Sequence, residues 1–403
     1  MLPDCEVGMC TSLVRRVPLL LLFTSLAASF ALCRERVVDL TATNGTKLKA
    51  TYFSTDKPGP GVLLLHQCNR DRQVWYGLAD KLNAAGLNVL VMDYRGFGES
   101  GGVPHEKATP QEGLAMLAKT PGDIEVAYQY LISQPGVTRD AIGVGGASCG
   151  VGNSITVAMA HPEVKSLVLL SGNTNYAGRQ FLRKDNTVPA FFGYAEDDEF
   201  PQSILAIEWI YAITANPDKK LVHYPNGGHG ADIFRAHPEL MTAITDWYVT
   251  TLIATPGKAP AATQTVALPP EVQILNTLDE PGGAAKVQAQ LEQARQHNPK
   301  AQLFDEALVN VMGYEHLQSG DIRGAVEILK LNAYAYPNSP NVYDSLGDAY
   351  LAEGQKQLAL DNSKRALELL SSDTTDNQQR KDAIKASAED KVKQLGGTSQ
   401  AAH

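Results

Sequence analysis

Residues 146–150 read Gly-Ala-Ser-Cys-Gly, between the apolar run 141–145 and a helix-like segment at 151–160. A G-x-S-x-G pentapeptide between a buried strand and a helix bends the chain so sharply that both flanking positions must lack bulk. Such a turn lifts a serine hydroxyl out of the backbone as a nucleophile for acyl transfer. The bare motif recurs by chance, as a tight turn around a buried serine, so its setting carries the weight. A serine nucleophile needs a base, and the base needs an orienting acid, expected downstream in the order Ser, Asp, His. Residues 225–230 (Pro-Asn-Gly-Gly-His-Gly) supply His229 on a glycine-rich loop. Residues 196–199 (Glu-Asp-Asp-Glu) supply four candidate acids, of which Asp197 is the expected partner and the others a solvated acidic loop. Residues 171–174 (Ser-Gly-Asn-Thr), the other place for an acid, hold no carboxylate.

A tetrahedral intermediate also needs two N–H donors aimed at its oxyanion. One is expected from Cys149, directly after Ser148, and the other from Gln67 or Cys68 in the loop after the strand 61–65. His66 sits at that strand's end, where a structural role is expected; His223 lies within a strand and His161 at a helix terminus. Cys68 and Cys149 should then be near neighbours. They are expected to stay unbridged, because the elbow should turn the residue after the nucleophile toward the sheet interior, and Cys33 has no obvious partner.

These residues must be held by strands alternating with helices. Residues 37–42 and 47–53, joined across Asn44-Gly45, form an expected hairpin; 61–65, 89–92, 141–145, 164–170, 188–192 and 219–223 are expected strands. Helices are expected at 74–85, ended by Gly86, at 123–133, at 151–160 and at 233–253. That alternation predicts an α/β class, a doubly wound and mostly parallel sheet. Only 172–187 separates two late strands, too short for a helical lid, so the site should be open, with 102–122 as the segment to line a pocket.

Residues 36–251 resemble the α/β-hydrolase superfamily, nearest to small serine esterases of the dienelactone hydrolase type and to serine aminopeptidase-like relatives. The resemblance is carried by His66-Gln67, by 93–100 (Asp-Tyr-Arg-Gly-Phe-Gly-Glu-Ser), by the elbow at Ser148, by Asp197 and by 228–230 (Gly-His-Gly). It implies hydrolysis through an acyl-enzyme on a Ser148, His229, Asp197 triad. Dienelactone hydrolases carry a cysteine where this chain has Ser148, so the resemblance does not carry over the dienelactone substrate itself, and ester, thioester, lactone and amide substrates stay open.

The 403 residues, 44% of them hydrophobic, exceed what one core needs. The expected division is a leader at 1–31, a catalytic domain at 36–253, a Pro- and Ala-rich linker at 254–282 and a helical domain at 283–395. In the leader, Arg15 and Arg16 precede an apolar stretch at 17–23, and Ser29-Phe30-Ala31 marks cleavage after Ala31. Asp4 and Glu6 suit a leader poorly, so translation from Met9 is the alternative start. Leu32 before Cys33 is too bulky for a good lipoprotein site, and the apolar run 17–32 falls short of the ~20 residues of a membrane span. An exported, periplasmic or secreted protein with no stable span after cleavage is expected. In the tail, Gly313 and Gly347, Gly320 and Gly354, and Ala325 and Ala359 are each 34 residues apart. That period resembles tetratricopeptide repeats, at about 304–337 and 338–371, with Asn332 at a usual Ala position. Such repeats imply a protein or peptide partner, or else they pack on the catalytic domain. A chain ending near Pro256 is expected to fold alone.

A net charge of −9 argues against nucleic acid as a partner, and five cysteines without a C-x-x-C pair give no metal signal. No cofactor is expected. The function expected is an exported serine hydrolase of carboxylic esters, acting on a small-molecule acyl substrate. The alternatives are a peptidase or amide hydrolase with the same triad, and a catalytically inactive binding protein on this scaffold.

Overall fold

A computed structural model describes residues 34–55, 57–184, 187–263 and 265–396. The expected leader lies outside them. The strands are β1 (Arg34–Thr41), β2 (Lys47–Ser54), β3 (Gly59–Leu65), β4 (Asn88–Met92), β5 (Val137–Ala147), β6 (Val164–Leu170), β7 (Ala190–Ala195) and β8 (Lys219–Tyr224). They form one sheet in the order β1-β2-β4-β3-β5-β6-β7-β8. The hairpin β1-β2 and its edge on β4 are antiparallel, and every pairing from β4 to β8 is parallel. β3, β4 and β7 are buried along their whole length, as strands covered on both faces must be.

Helices cover both faces. On one face lie α1 (Tyr76–Ala84), α7 (Ile233–Ala236) and α8 (Glu239–Tyr248), contributing Leu78, Leu82, Ile244 and Trp247 to a core against Val62, Leu64 and Phe191. The opposite face carries α3 (Thr120–Ser133), α4 (Cys149–Ala160), α5 (Tyr176–Lys184) and α6 (Pro201–Ile213), which bury Ile124, Leu131, Ile155 and Ile207 against Leu63, Leu65 and Leu169. A short helix, α2 (Pro110–Leu117), precedes α3. The expected single helix at 233–253 is interrupted, because Pro238 has no N–H to continue the ladder; α8 then widens into a π turn at Val249–Ala254.

The tail is helical: α9 (Pro270–Leu278), α10 (Gly283–His297), α11 (Glu306–Gln318), α12 (Ile322–Ala335), α13 (Pro340–Ala352), α14 (Lys356–Leu370) and α15 (Gln378–Gly396). Both α11 to α13 and α12 to α14 begin 34 residues apart, at Glu306 and Pro340 and at Ile322 and Lys356. Gly320 and Gly354 take the same left-handed backbone after their helices, with φ of 85° and 82°. A Cβ on Gly313 would stand 2.5 Å from Leu329, so that helix crossing requires glycine.

The segment expected as a linker at 254–282 is not free of structure. Residues 259–262 run beside β8, where Ala262 N–H donates to Pro217 O at 2.7 Å. Beyond them α9 buries Val272, Leu275 and Leu278, three residues apart on one helical face, in a core shared with Trp209 of α6. The helical domain is therefore docked on α5 and α6. Arg179, 1% exposed, makes paired bonds to Asp279 at 2.5 and 3.0 Å and a third to Glu315 at 2.8 Å, while its guanidinium lies over the Trp209 ring. Arg183 reaches Asp279 and Asn276, and Tyr176 stacks on His316 at 3.6 Å. Burial pushes the Asp279 carboxyl up, but the His316 hydrogen bond and the two guanidiniums outweigh it and hold its pKa at about 2.

Removing one member of a buried pair leaves the other charge uncompensated, at about 3–5 kcal/mol. Asp279→Ala is expected to lower stability by roughly that amount in urea titration. Asp279 titrates lower in the folded chain than in the unfolded chain, so its contribution is complete above pH 3.8 and is lost as pH falls toward about 2. Urea midpoints measured down that range should converge for wild type and Asp279→Ala. Truncation after Pro256, which would bare Trp209 and strand Arg179, is now expected to yield insoluble or strongly destabilised protein, as judged by the soluble fraction on expression.

Candidate active site

Ser148 lies between β5 and α4 with φ 54° and ψ −119°, a backbone that L-residues avoid. Its N–H donates to Leu170 O at 2.8 Å, and its carbonyl accepts from Val151 at 2.9 Å. Three close approaches enforce the turn. A Cβ on Gly146 would sit 2.1 Å from Gly150 O, one on Gly150 2.4 Å from Leu65 O, and one on Gly172 2.3 Å from Ser148 O. The motif's two glycines are therefore steric requirements, and Gly172, after β6, is a third that the pentapeptide does not reveal.

His229 follows β8 on a loop whose Gly227 and Gly228 take positive φ. It is buried, with Nδ1 2.8 and 3.0 Å from the two carboxylate oxygens of Asp198. A carboxylate only accepts, so Nδ1 carries the proton and Nε2 is the basic nitrogen. The partner is Asp198, where the sequence reading expected Asp197. The turn after β7, closed by Asp198 N–H on Ala195 O at 3.2 Å, points the Asp198 side chain inward and leaves Asp197 exposed. Asp197 instead accepts from Gly228 N–H at 2.8 Å, bracing the histidine loop. Asp198 also accepts from Phe200 N–H at 2.8 Å, and the Phe200 ring meets His229 edge-on at 4.8 Å. The Asp198 carboxylate closes an Asx-type turn onto Phe200, just before the helix-starting Pro201, a turn that the adjacent Asp197 offers equally well in sequence. Glu196 pairs with exposed His223 at the surface.

The segment 66–68 ties three parts of the site together. His66 is buried, accepting Tyr94 N–H on Nε2 at 3.1 Å and lying 2.8 Å from Gln67 O through Nδ1. Those partners fix it as the neutral Nδ1-protonated form, and burial keeps its pKa below the ordinary histidine value. It is structural, as expected. The Gln67 side chain, fully buried, donates to His229 O at 3.1 Å and to Asp232 at 3.3 Å, and accepts from Ala231 N–H at 2.8 Å. A Cβ on Gly230 would lie 2.6 Å from Gln67 Oε1 and 3.1 Å from the Ala147 Cβ, so the residue after His229 sits against the residue before Ser148. Sequence reasoning valued Gln67 for its N–H and missed this amide.

Cys68 and Cys149 are disulfide-bonded, with Cα atoms 6.0 Å apart across a separation of 81 residues. They are neighbours as expected, but the expected free thiols are overturned. The half-buried Cys149 side chain reaches across to the 66–68 loop, with Sγ 3.8 Å from His66 O. Neither Gln67 nor Cys68 N–H donates to a backbone carbonyl among the described residues, and Cys149 N–H belongs to the first turn of α4, where no intrahelical acceptor exists. All three N–H groups are thus without a backbone acceptor among the described residues, with the positive end of the α4 dipole behind Cys149.

Beside Cys68 opens a cavity of about 540 Å³, walled by Arg70, Phe97, Pro104 and His105. Phe97 and His105 stack at 4.5 Å. The wall is held by buried ion pairs: Arg72 with Asp93, and Arg95 with Asp123 at 2.5 and 2.6 Å. Asp93 also accepts from Arg72 N–H and Glu99 N–H, and a Cβ on Gly98 would stand 2.3 Å from its carboxylate. The 93–100 stretch is therefore scaffold for the pocket wall. Only the first part of the 102–122 connection reaches the cavity; the rest is occupied by α2 and the start of α3. Among the described residues no group of three or more His, Cys, Asp or Glu is arranged to hold a metal, and no helix is long and apolar enough to cross a membrane.

The chain is 26% identical over 134 residues to a thiohydrolase of Aspergillus aculeatus, covering 32% of this chain and 39% of that protein. It is 33% identical over 153 residues to an uncharacterised protein of Mycobacterium tuberculosis, covering 38% of this chain and 50% of that one. The chain thus spans half or less of the length of these curated relatives. Among solved structures, a dienelactone hydrolase from Anabaena variabilis is 19% identical with a TM-score of 0.43, covering 55% of this chain and 99% of its own. A Pyrococcus furiosus esterase is 18% identical with a TM-score of 0.42, covering 55% and 94%. Residues 60–200 match the family described as the alpha/beta hydrolase fold, and the eight-stranded, mostly parallel sheet that contains them fits that fold.

Proposed function

We propose that the chain is an exported serine hydrolase that cleaves carboxylic esters or thioesters of small to medium acyl substrates. The observation that carries this reading is the strained turn at Ser148 beside a buried His229 whose Nδ1 is committed to Asp198.

His229 Nε2 takes the Ser148 hydroxyl proton as Oγ attacks the acyl carbon, and Asp198 holds the imidazolium in orientation. The oxyanion accepts from Cys149 N–H and from Gln67 or Cys68 N–H. Collapse of the intermediate returns the proton to the leaving oxygen or sulfur and leaves the acyl group on Ser148. Water then attacks, with His229 again as base, and frees the acid. The cavity beside Cys68 is assigned to one arm of the substrate, and the likeness to a protein described as a thiohydrolase supports including thioesters. Export is supported by the leader pattern at 1–31 and by a disulfide, which persists in oxidising compartments. The helical domain, resembling tetratricopeptide repeats in its period, is assigned as a fixed part of the hydrolase that could also offer its outer end to a peptide partner.

Hydrolysis of p-nitrophenyl acetate by the wild type and its loss in Ser148→Ala tests the reading; equal rates in the two would overturn it. Asp198→Asn is expected to lower kcat by about 10³–10⁴-fold, since the imidazole would lose its orienting carboxylate. Asp197→Asn should cost only a few-fold, and steady-state kinetics on both variants decides which aspartate orients His229.

A further inference from the structure

We infer that the Cys68–Cys149 disulfide positions the oxyanion hole, so that acyl transfer depends on its oxidised state. The inference rests on the serine-hydrolase reading and names how that site is regulated. The donors come from two segments, the start of α4 and the loop after β3. Their strands are paired only as far as Leu65 and Gly146. Beyond that pair no backbone hydrogen bond joins the segment 66–68 to the segment 147–150 among the described residues. Gly150 stands close against Leu65 and His66 carbonyls, which sets the near side of the gap. Gln67 is tied by its side chain to the histidine loop, and not to the elbow. At Cys68 the tie to the elbow is the disulfide itself, joining the residue that supplies one donor to the residue that supplies the other.

Both cysteines are half-buried and Cys68 lines the cavity beside the site, so a small reductant reaches the bond from the substrate side. Reduction by a trialkylphosphine breaks the S–S bond. The phosphine is oxidised to its oxide with oxygen from water, and each sulfur gains one electron and a proton. The loop bearing Gln67 and Cys68 then loses its covalent registration with Cys149, and an N–H that must meet the oxyanion is free to drift. The ground-state substrate, which does not need that donor, binds as before. The loss therefore falls on kcat and not on KM.

The test uses the full-length mature protein. It is treated with a phosphine, which avoids the attack of thiol reductants on aryl esters, then desalted and assayed on p-nitrophenyl acetate. Two additional thiols should titrate, kcat should fall about tenfold or more, KM should stay within about twofold, and reoxidation should restore the rate. Tryptophan fluorescence and the thermal midpoint report whether the fold survives. The double variant Cys68→Ser with Cys149→Ser should match the reduced enzyme and no longer respond to phosphine. Unchanged kcat with two new thiols would overturn the inference alone. So would global unfolding on reduction and in the double variant, which would make the bridge a fold tie, or a rise in KM with kcat kept. Failure of the oxidised protein to hydrolyse any ester would instead overturn the hydrolase reading on which the inference stands.

Discussion

The structure depends on one backbone constraint, the left-handed conformation of Ser148. Holding an L-residue at φ 54° costs on the order of 1–3 kcal/mol, and the surroundings must over-determine it. They do so by removing every alternative. The Ser148 amide is bonded to Leu170 on β6, the Gly146 and Gly150 backbones are in contact, and Gly150 and Gly172 close the turn against Leu65 O and Ser148 O. The turn is thus locked by strands on both sides of β5, and the parallel sheet is the frame that stores its strain.

From that turn the site spreads through the three residues after β3. His66 fixes the loop to the exit of β4, Gln67 fixes it to the loop that carries His229, and Cys68 fixes it to the start of α4. Each tie is chemically different: a neutral imidazole accepting a backbone N–H, an amide with donor and acceptor both used, and a covalent bond. Buried polar groups of this kind hold geometry well because a broken bond would leave an unsatisfied partner out of reach of water. The two ends of the site, Ser148 and His229, are separated in sequence but referenced to one short segment.

The helical domain adds a second polar centre. Asp279 stands between Arg179, Arg183 and His316, all within an apolar setting that includes Trp209. Such a cluster contributes little net stability compared with apolar packing, but it strongly disfavours any arrangement in which one member is left alone. It therefore specifies a single docking of the helices on α5 and α6, where a linker of Pro and Ala residues by itself would have allowed many.

Much of the α/β part of the chain was legible in the sequence because strand alternation and glycine-bounded turns are local signals. The succession of strands along the chain, the turn at Ser148, the glycine-rich loop that carries His229 and the nearness of Cys68 and Cys149 all follow from residue type and spacing. The 34-residue offset in the tail was legible for the same reason, since each pair of glycines serves the same local turn or crossing. What the sequence alone could not decide were the features set by the direction of one side chain across a gap. Asp197 and Asp198 are adjacent and chemically identical, and only the pitch of the turn after β7 sends one inward. The Cys149 side chain faces the loop after β3 because of how α4 leaves the sheet, and Asp279 lies under Arg179 because two domains meet there. Those are long-range geometric facts, and a linear pattern carries residue identity without carrying the vector along which each side chain points.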